Sequence, residues 1–191
     1  MIGEITSIPY INMTLALLNS LGVTTSFVGQ VIRVLPIEEP KRVTQIVESD
    51  WSSASYFFSI AALSDEAEIH LTSYRQESLQ GDSVLRSIYK NLGVSSRFEG
   101  TTLILKKEDK PISTCIDLDL SEAPDIAQTI AVSCYGLGIE CNLTGLHTLK
   151  IKETDRLEAL HTELTKLGAS IRVTEKSLHL AAGINFKKNC S

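Results

Sequence analysis

Three times along this chain an amphipathic stretch closes on Leu-Gly, a small apolar residue and a strand-like run: Leu18-Asn-Ser-Leu-Gly22-Val23, Tyr89-Lys-Asn-Leu-Gly93-Val94 and Leu164-Thr-Lys-Leu-Gly168-Ala169. The three glycines stand 71 and 75 residues apart, each where a left-handed residue would end a helix. A period this long describes a compact sheet-on-helix module, because a solenoid turn repeats in half that length. The repeat therefore sets the fold class: α/β (α+β), with mixed sheets packed around buried helices.

Two complete units can be read. The first is a strand at 42–48, a helix at 52–63, a strand at 68–73, a helix ending at Leu92, and a hairpin of 95–98 with 102–106 turning at Glu99-Gly100. The second is a strand at 115–120, a helix at 124–137, a strand at 141–144, a helix closing at Leu167, and a hairpin of 170–174 with 177–180. Each is a βαβαββ module whose first helix is apolar on nearly every face, which predicts burial. Residues 1–40 carry only the second half of such a unit, a helix at 10–21 and strands at 25–28 and 31–35. They end in Pro36-Ile-Glu-Glu-Pro40, a linker composition. The expected division is 1–40 as the tail of one domain and 41–191 as two units of another.

Composition removes several function classes. Hydrophobic residues make up 43% and charged residues 21%, and no apolar run approaches the roughly 20 residues of a membrane span. The opening segment lacks the basic and apolar regions of a signal peptide. A net charge of −5 with no basic stripe argues against general nucleic-acid binding, so an anionic ligand would need a local pocket. The four cysteines include no Cys-x-x-Cys pair and the four histidines no i, i+4 pair, so structural zinc is not expected and a cytoplasmic, reduced chain is.

Chemistry concentrates at helix starts. Residues 149–156, Leu-Lys-Ile-Lys-Glu-Thr-Asp-Arg, put five ionisable side chains at the predicted start of the helix that closes at Leu167. A helix N-terminus disfavours cations by roughly 0.3–1 kcal/mol each. Lys152 and Arg156 beside free N–H groups thus describe either a docking place for a phosphate or carboxylate, or a solvated mixed-charge start balanced by Glu153 and Asp155. Asp125, following Pro124, lies near the start of a buried helix, as a cap or as a carboxylate able to accept a proton. Ser7-Ile-Pro-Tyr10 places a hydroxyl before another helix, to cap it or to contact a phosphate. The Asp117-x-Asp119 pair carries little weight as a metal site, and the serines of Asp50-Trp-Ser-Ser-Ala-Ser-Tyr56 read as small packing residues. No nucleophile elbow, Walker loop or dinucleotide-binding glycine pattern occurs.

Four stretches, in order, resemble the 5-enolpyruvylshikimate-3-phosphate synthase family: Ser7-Ile-Pro-Tyr10; Glu48-Ser-Asp-Trp-Ser-Ser-Ala-Ser-Tyr-Phe57; Gln80-Gly-Asp82; and Ala123-Pro-Asp125 followed by Lys152-Glu-Thr-Asp-Arg156. The likeness extends to about Leu180, and Lys-Glu-Thr-Asp-Arg is its most specific part. It implies the enolpyruvyl transferase fold, six βαβαββ units in two domains that close over the substrates, of which less than half is present. It also implies the substrates, shikimate 3-phosphate and phosphoenolpyruvate, and a partner in the remainder of the enzyme's own chain, with no cofactor, metal, nucleic acid or membrane. By resemblance, Asp125 takes the proton of the shikimate 5-hydroxyl and Glu153 protonates the methylene carbon of phosphoenolpyruvate. Arg156 binds that substrate's anionic groups, while Ser7, Tyr10, Lys152 and Thr148 hold shikimate 3-phosphate. Thr148 departs from the asparagine that many members carry.

The alternative from another class is a non-catalytic βαβαββ module that binds anionic metabolites or a partner domain, and a third is an enolpyruvyl transferase for another acceptor. Sheet edges left by absent units predict weak self-association. The tail, 181–191, carries no assigned role.

Overall fold

The computed structural model describes residues 5–37, 39–40, 42–108 and 111–183; the tail from residue 184 onward lies outside them. In chain order the elements are α1 (Ile8–Ser20), β1 (Thr25–Val28), β2 (Val31–Val34), α2 (Trp51–Leu63), β3 (Glu68–Leu71), α3 (Leu85–Asn91), β4 (Val94–Glu99), β5 (Thr102–Lys107), β6 (Cys115–Asp119), α4 (Ala127–Leu137), β7 (Glu140–Thr144), α5 (Arg156–Lys166), β8 (Ile171–Val173) and β9 (Leu178–Leu180). Single 3₁₀ turns at Gly81–Val84, Pro124–Ile126 and His147–Ile151 precede α3, α4 and α5. The stops at Gly22, Gly93 and Gly168 all have φ between 84° and 96°, the left-handed residue the repeat required.

The mixed α/β architecture expected from the repeat is present, in three sheets: β1-β2, β3-β5-β4 and β6-β7-β9-β8. The last is the full module. β6 and β7 run parallel, joined by α4 as crossover, and the hairpin β8–β9 adds antiparallel through β9. The β3-β5-β4 sheet repeats this without its first strand. Residues 42–48, predicted as that strand, form no ladder among the described residues and stand mostly exposed. The segment runs instead past the end of β3, where Ser49 N–H donates to the Ser73 carbonyl at 2.8 Å and Arg75 Nη2 donates to the Ile46 carbonyl at 2.6 Å. Side chains take over the anchoring. Glu48 accepts from Trp51 Nε1 at 2.8 Å, from Arg75 N–H at 3.0 Å and from Ser78 Oγ at 2.8 Å.

The core lies between the sheets and the paired helices α2 and α4. Trp51, Phe58, Tyr89, Ile126 and Ile130 are fully buried there, each stabilising the fold by roughly 1.5–3 kcal/mol. A buried hydroxyl chain crosses the helix contact: Tyr89 Oη and Ser133 Oγ are 2.9 Å apart, and Ser133 Oγ donates to Ser59 Oγ at 2.8 Å. Satisfied in this way, the polar groups cost little and fix how the helices register. The predicted all-round burial of α2 and α4 is only half met. Tyr56, Phe57, Ile60 and Leu63 on α2, with Val132 on α4, face outward because no described element covers them.

The helix predicted to begin near Lys152 begins at Arg156. Asp155 is its N-cap, accepting from the backbone N–H groups of Leu157 and Glu158, both at 3.1 Å. Lys152 and Glu153 therefore stand in the connection ahead of the helix, outside its first turn. Leu157, Leu160 and Leu164 are buried as their spacing predicts, whereas Leu167 at the end is exposed.

Candidate active site

The sequence starts three helices with polar side chains, and the fold brings those starts to one place. Asp50 caps α2, accepting from Ser52 N–H at 3.0 Å, Ser53 N–H at 3.1 Å and Ser53 Oγ at 2.6 Å. Asp125 sits in the 3₁₀ turn that opens α4, and Lys152, Glu153 and Arg156 lead into α5. A cavity of about 480 Å³ lies between them, walled by Ser52, Ser53 and Tyr56 of α2, by Asp125 and Gln128, and by the three α5-side residues.

Charge is organised around Asp125. Its Oδ1 lies 2.9 Å from Arg156 Nη1 and 3.1 Å from Lys152 Nζ, and its side chain is only 16% exposed. Arg156 uses its other edge on Glu153 in a two-point pairing, Nε to Oε1 at 2.9 Å and Nη2 to Oε2 at 3.0 Å. The Gln128 amide, with its oxygen turned to Arg156 Nη1 at 3.0 Å, braces the same guanidinium while its nitrogen donates to the Asp125 carbonyl at 3.0 Å. Glu153 lies in solvent. A bond from its own backbone N–H, reinforced by Arg156, holds its carboxyl below the ordinary carboxylate range.

Tyr10 reaches this centre from α1. Burial, then the charges of Asp82 and Asp125, push its phenol up to about 12 against a hydrogen bond with Ser52. The phenol thus stays a neutral donor at any physiological pH. Ser7, three residues earlier, has left-handed backbone (φ 58°) at the N-cap position, and its side chain makes no capping bond. Such a conformation costs a non-glycine residue about 1 kcal/mol or more. Thr148 lies in the turn before Lys152, and its hydroxyl is buried with no partner among the described residues.

Of the sequence-predicted residues, Asp125, Lys152, Glu153 and Arg156 are brought together, and Tyr10 adjoins them. Ser7, Tyr10 and Thr148 are not among the residues lining the cavity. Sequence reasoning missed Gln128 and gave Ser52 and Ser53 to packing. Gln128 was findable as the i+3 neighbour of Asp125 and the one amide or charged side chain of α4. Among the described residues, no group of three or more His, Cys, Asp or Glu side chains could hold a metal ion, and no helix is long and apolar enough to cross a membrane.

The family profile of EPSP synthase (3-phosphoshikimate 1-carboxyvinyltransferase) matches residues 1–189. A 3-phosphoshikimate 1-carboxyvinyltransferase of Bacteroides fragilis is 46% identical over 171 residues, covering 87% of this chain and 40% of the relative. The corresponding protein of Photorhabdus laumondii is 34% identical over 173 residues, covering 88% of this chain and 39% of its own. Among solved structures, an EPSP synthase from Acinetobacter baumannii superposes with a TM-score of 0.67 at 22% identity, covering 86% of this chain and 39% of that one, a likeness of fold. The chain thus spans about 40% of the length of the curated relatives it matches. With nearly every residue inside the matched profile, the chain belongs to the EPSP synthase family.

Proposed function

We propose that the full-length protein transfers the enolpyruvyl group of phosphoenolpyruvate to the 5-hydroxyl of shikimate 3-phosphate, giving 5-enolpyruvylshikimate 3-phosphate and phosphate. The observation that carries this reading is Asp125 held between Lys152 and Arg156, with Glu153 on the far edge of the same guanidinium. Both cations are now neutralised by carboxylates. Two anionic substrates entering the cavity would draw Lys152 and Arg156 onto themselves and release those carboxylates for proton work. Asp125, freed, accepts the proton of the attacking hydroxyl. Glu153, losing Arg156 and gaining cover as domains close, takes up a proton from solvent and then passes it to the methylene carbon. Such groups contribute roughly 10² to 10⁴ each in rate.

Ser7, Tyr10 and Thr148 complete the reading as contacts to shikimate 3-phosphate. The neutral Tyr10 phenol, the strained Ser7 with its hydroxyl not spent on a cap, and the unpartnered Thr148 hydroxyl each suit a ligand oxygen. Residues 1–40 then belong to one domain and 41–191 to two units of the next, supported by β1 and β2 pairing only with each other among the described residues. A cytoplasmic setting suits the free thiols of Cys115, Cys134 and Cys141.

The test is turnover by the full-length protein, followed as phosphate release from the two substrates. Asp125→Asn and Glu153→Gln should each lower kcat by about 10² or more with unchanged melting behaviour. Rates like wild type in either variant would remove the role given to that residue. The 191-residue chain by itself should show no turnover.

A further inference from the structure

The Gln80-Gly81-Asp82 stretch has no part in the chemistry above, yet it is stitched into the site. Gln80 Oε1 accepts from Trp51 N–H at 2.9 Å and its Nε2 donates to the Ser49 carbonyl at 2.9 Å, tying the stretch to the head of α2. Gly81 lies so close to the chain entering α4 that a Cβ would fall 2.5 Å from the Glu122 carbonyl oxygen and 3.3 Å from Pro9 Cβ. Asp82 is thereby fixed where α1, α2 and the turn before α4 meet, at 2% exposure. One carboxyl oxygen accepts a hydrogen bond from Ser52 Oγ. The other is buried with no partner among the described residues. A half-satisfied buried carboxylate is costly and calls for a compensating use.

We propose that Asp82 is a positioning residue of this site, holding the Ser52 hydroxyl at the cavity wall, and that its carboxylate takes up a proton when an anionic substrate binds. The charged and titratable groups facing it come from every element around it: Tyr10 of α1, Asp50 at the head of α2, Asp125 before α4 and Lys152 before α5. Burial already raises the Asp82 carboxyl above the ordinary range, Asp125 and Asp50 push the same way, and the Ser52 bond and Lys152 oppose them. An anionic substrate that draws Lys152 to itself removes one opposing influence and adds negative charge. The proton comes from solvent, an O–H bond forms on the carboxyl, and the neutral acid no longer repels the bound anion.

This rests on reading the cavity as the shikimate 3-phosphate site, and the experiment separates the two. Calorimetric titration of full-length protein with shikimate 3-phosphate, repeated at near-neutral pH in buffers of different ionisation enthalpy, counts the protons taken up on binding. Wild type should bind with net uptake, and Asp82→Asn, which keeps an acceptor for Ser52, should bind with that uptake diminished. If wild type does not bind, the reading of the site fails. If wild type binds and Asp82→Asn takes up as many protons, the Asp82 proposal is overturned. Ser52→Ala decides the positioning step even where Asp82→Asn does not fold: it should raise the KM for shikimate 3-phosphate about tenfold by removing the hydroxyl that Asp82 holds at the cavity wall. An unchanged KM sinks the Ser52 link.

Discussion

Gly81 shows how much a single residue can settle. Its φ is ordinary; what it lacks is a Cβ, which would press on the backbone oxygen of Glu122. Glu122 lies three residues before Asp125, so the same contact that admits Asp82 also sets where the site's central carboxylate stands. Gly81→Ala should cost about 1–3 kcal/mol, read as a lower midpoint in denaturant melts, and should raise KM for both substrates by moving Asp125. Melts that coincide with wild type would show that the loop gives way freely. Asp125, Lys152, Glu153 and Arg156 could be nominated from sequence because their residue types match a family pattern. Their pairing could not, since Asp125 meets Lys152 and Arg156 across 27 and 31 residues of chain. Ser52 illustrates the opposite case: small residues at a helix head look alike whether they serve packing or a ligand, and only its bond to a buried carboxylate distinguishes it.

At the scale of elements, the helix that follows Lys152 is the instructive one. Its apolar stripe Leu157, Leu160 and Leu164 was legible because the 3.6-residue period is a local property. Its start was not, because Glu153 and Asp155 both suit a first turn. The capping bonds from Leu157 and Glu158 select Asp155. Asp155→Ala should cost about 1 kcal/mol of stability, measurable in denaturant melts, and should loosen Arg156, the first helical residue, so that the KM for phosphoenolpyruvate rises. Stability equal to wild type would mean that water replaces the cap at no cost. Residues 42–48 failed as a strand for the complementary reason. The β-branched residues Val43, Thr44, Ile46 and Val47 permit a strand, but a strand also needs a ladder partner, and that segment is anchored instead through Glu48 and Arg75.

At the scale of the molecule, α2 and α4 pack on each other yet leave Tyr56, Phe57, Ile60, Leu63 and Val132 in water. Exposed apolar patches of that kind mark surfaces meant to be covered, and strand edges add to them. The isolated 191-residue chain should therefore self-associate in sedimentation at rising concentration, and Ile60→Ser with Phe57→Ser should shift it toward monomer. A single monomeric species at every concentration would contradict this. The amino-acid sequence by itself determined the repeat, the helix periods, the glycine stops and the residue types of a family motif, because each depends on neighbours within a few positions. Only the tertiary structure decided that three helix starts converge on Asp125, that Lys152 and Glu153 precede their helix, that Asp82 is buried beside them, and that one predicted strand goes unpaired among the described residues. Those outcomes turn on packing and desolvation between segments distant along the chain, which no local pattern encodes.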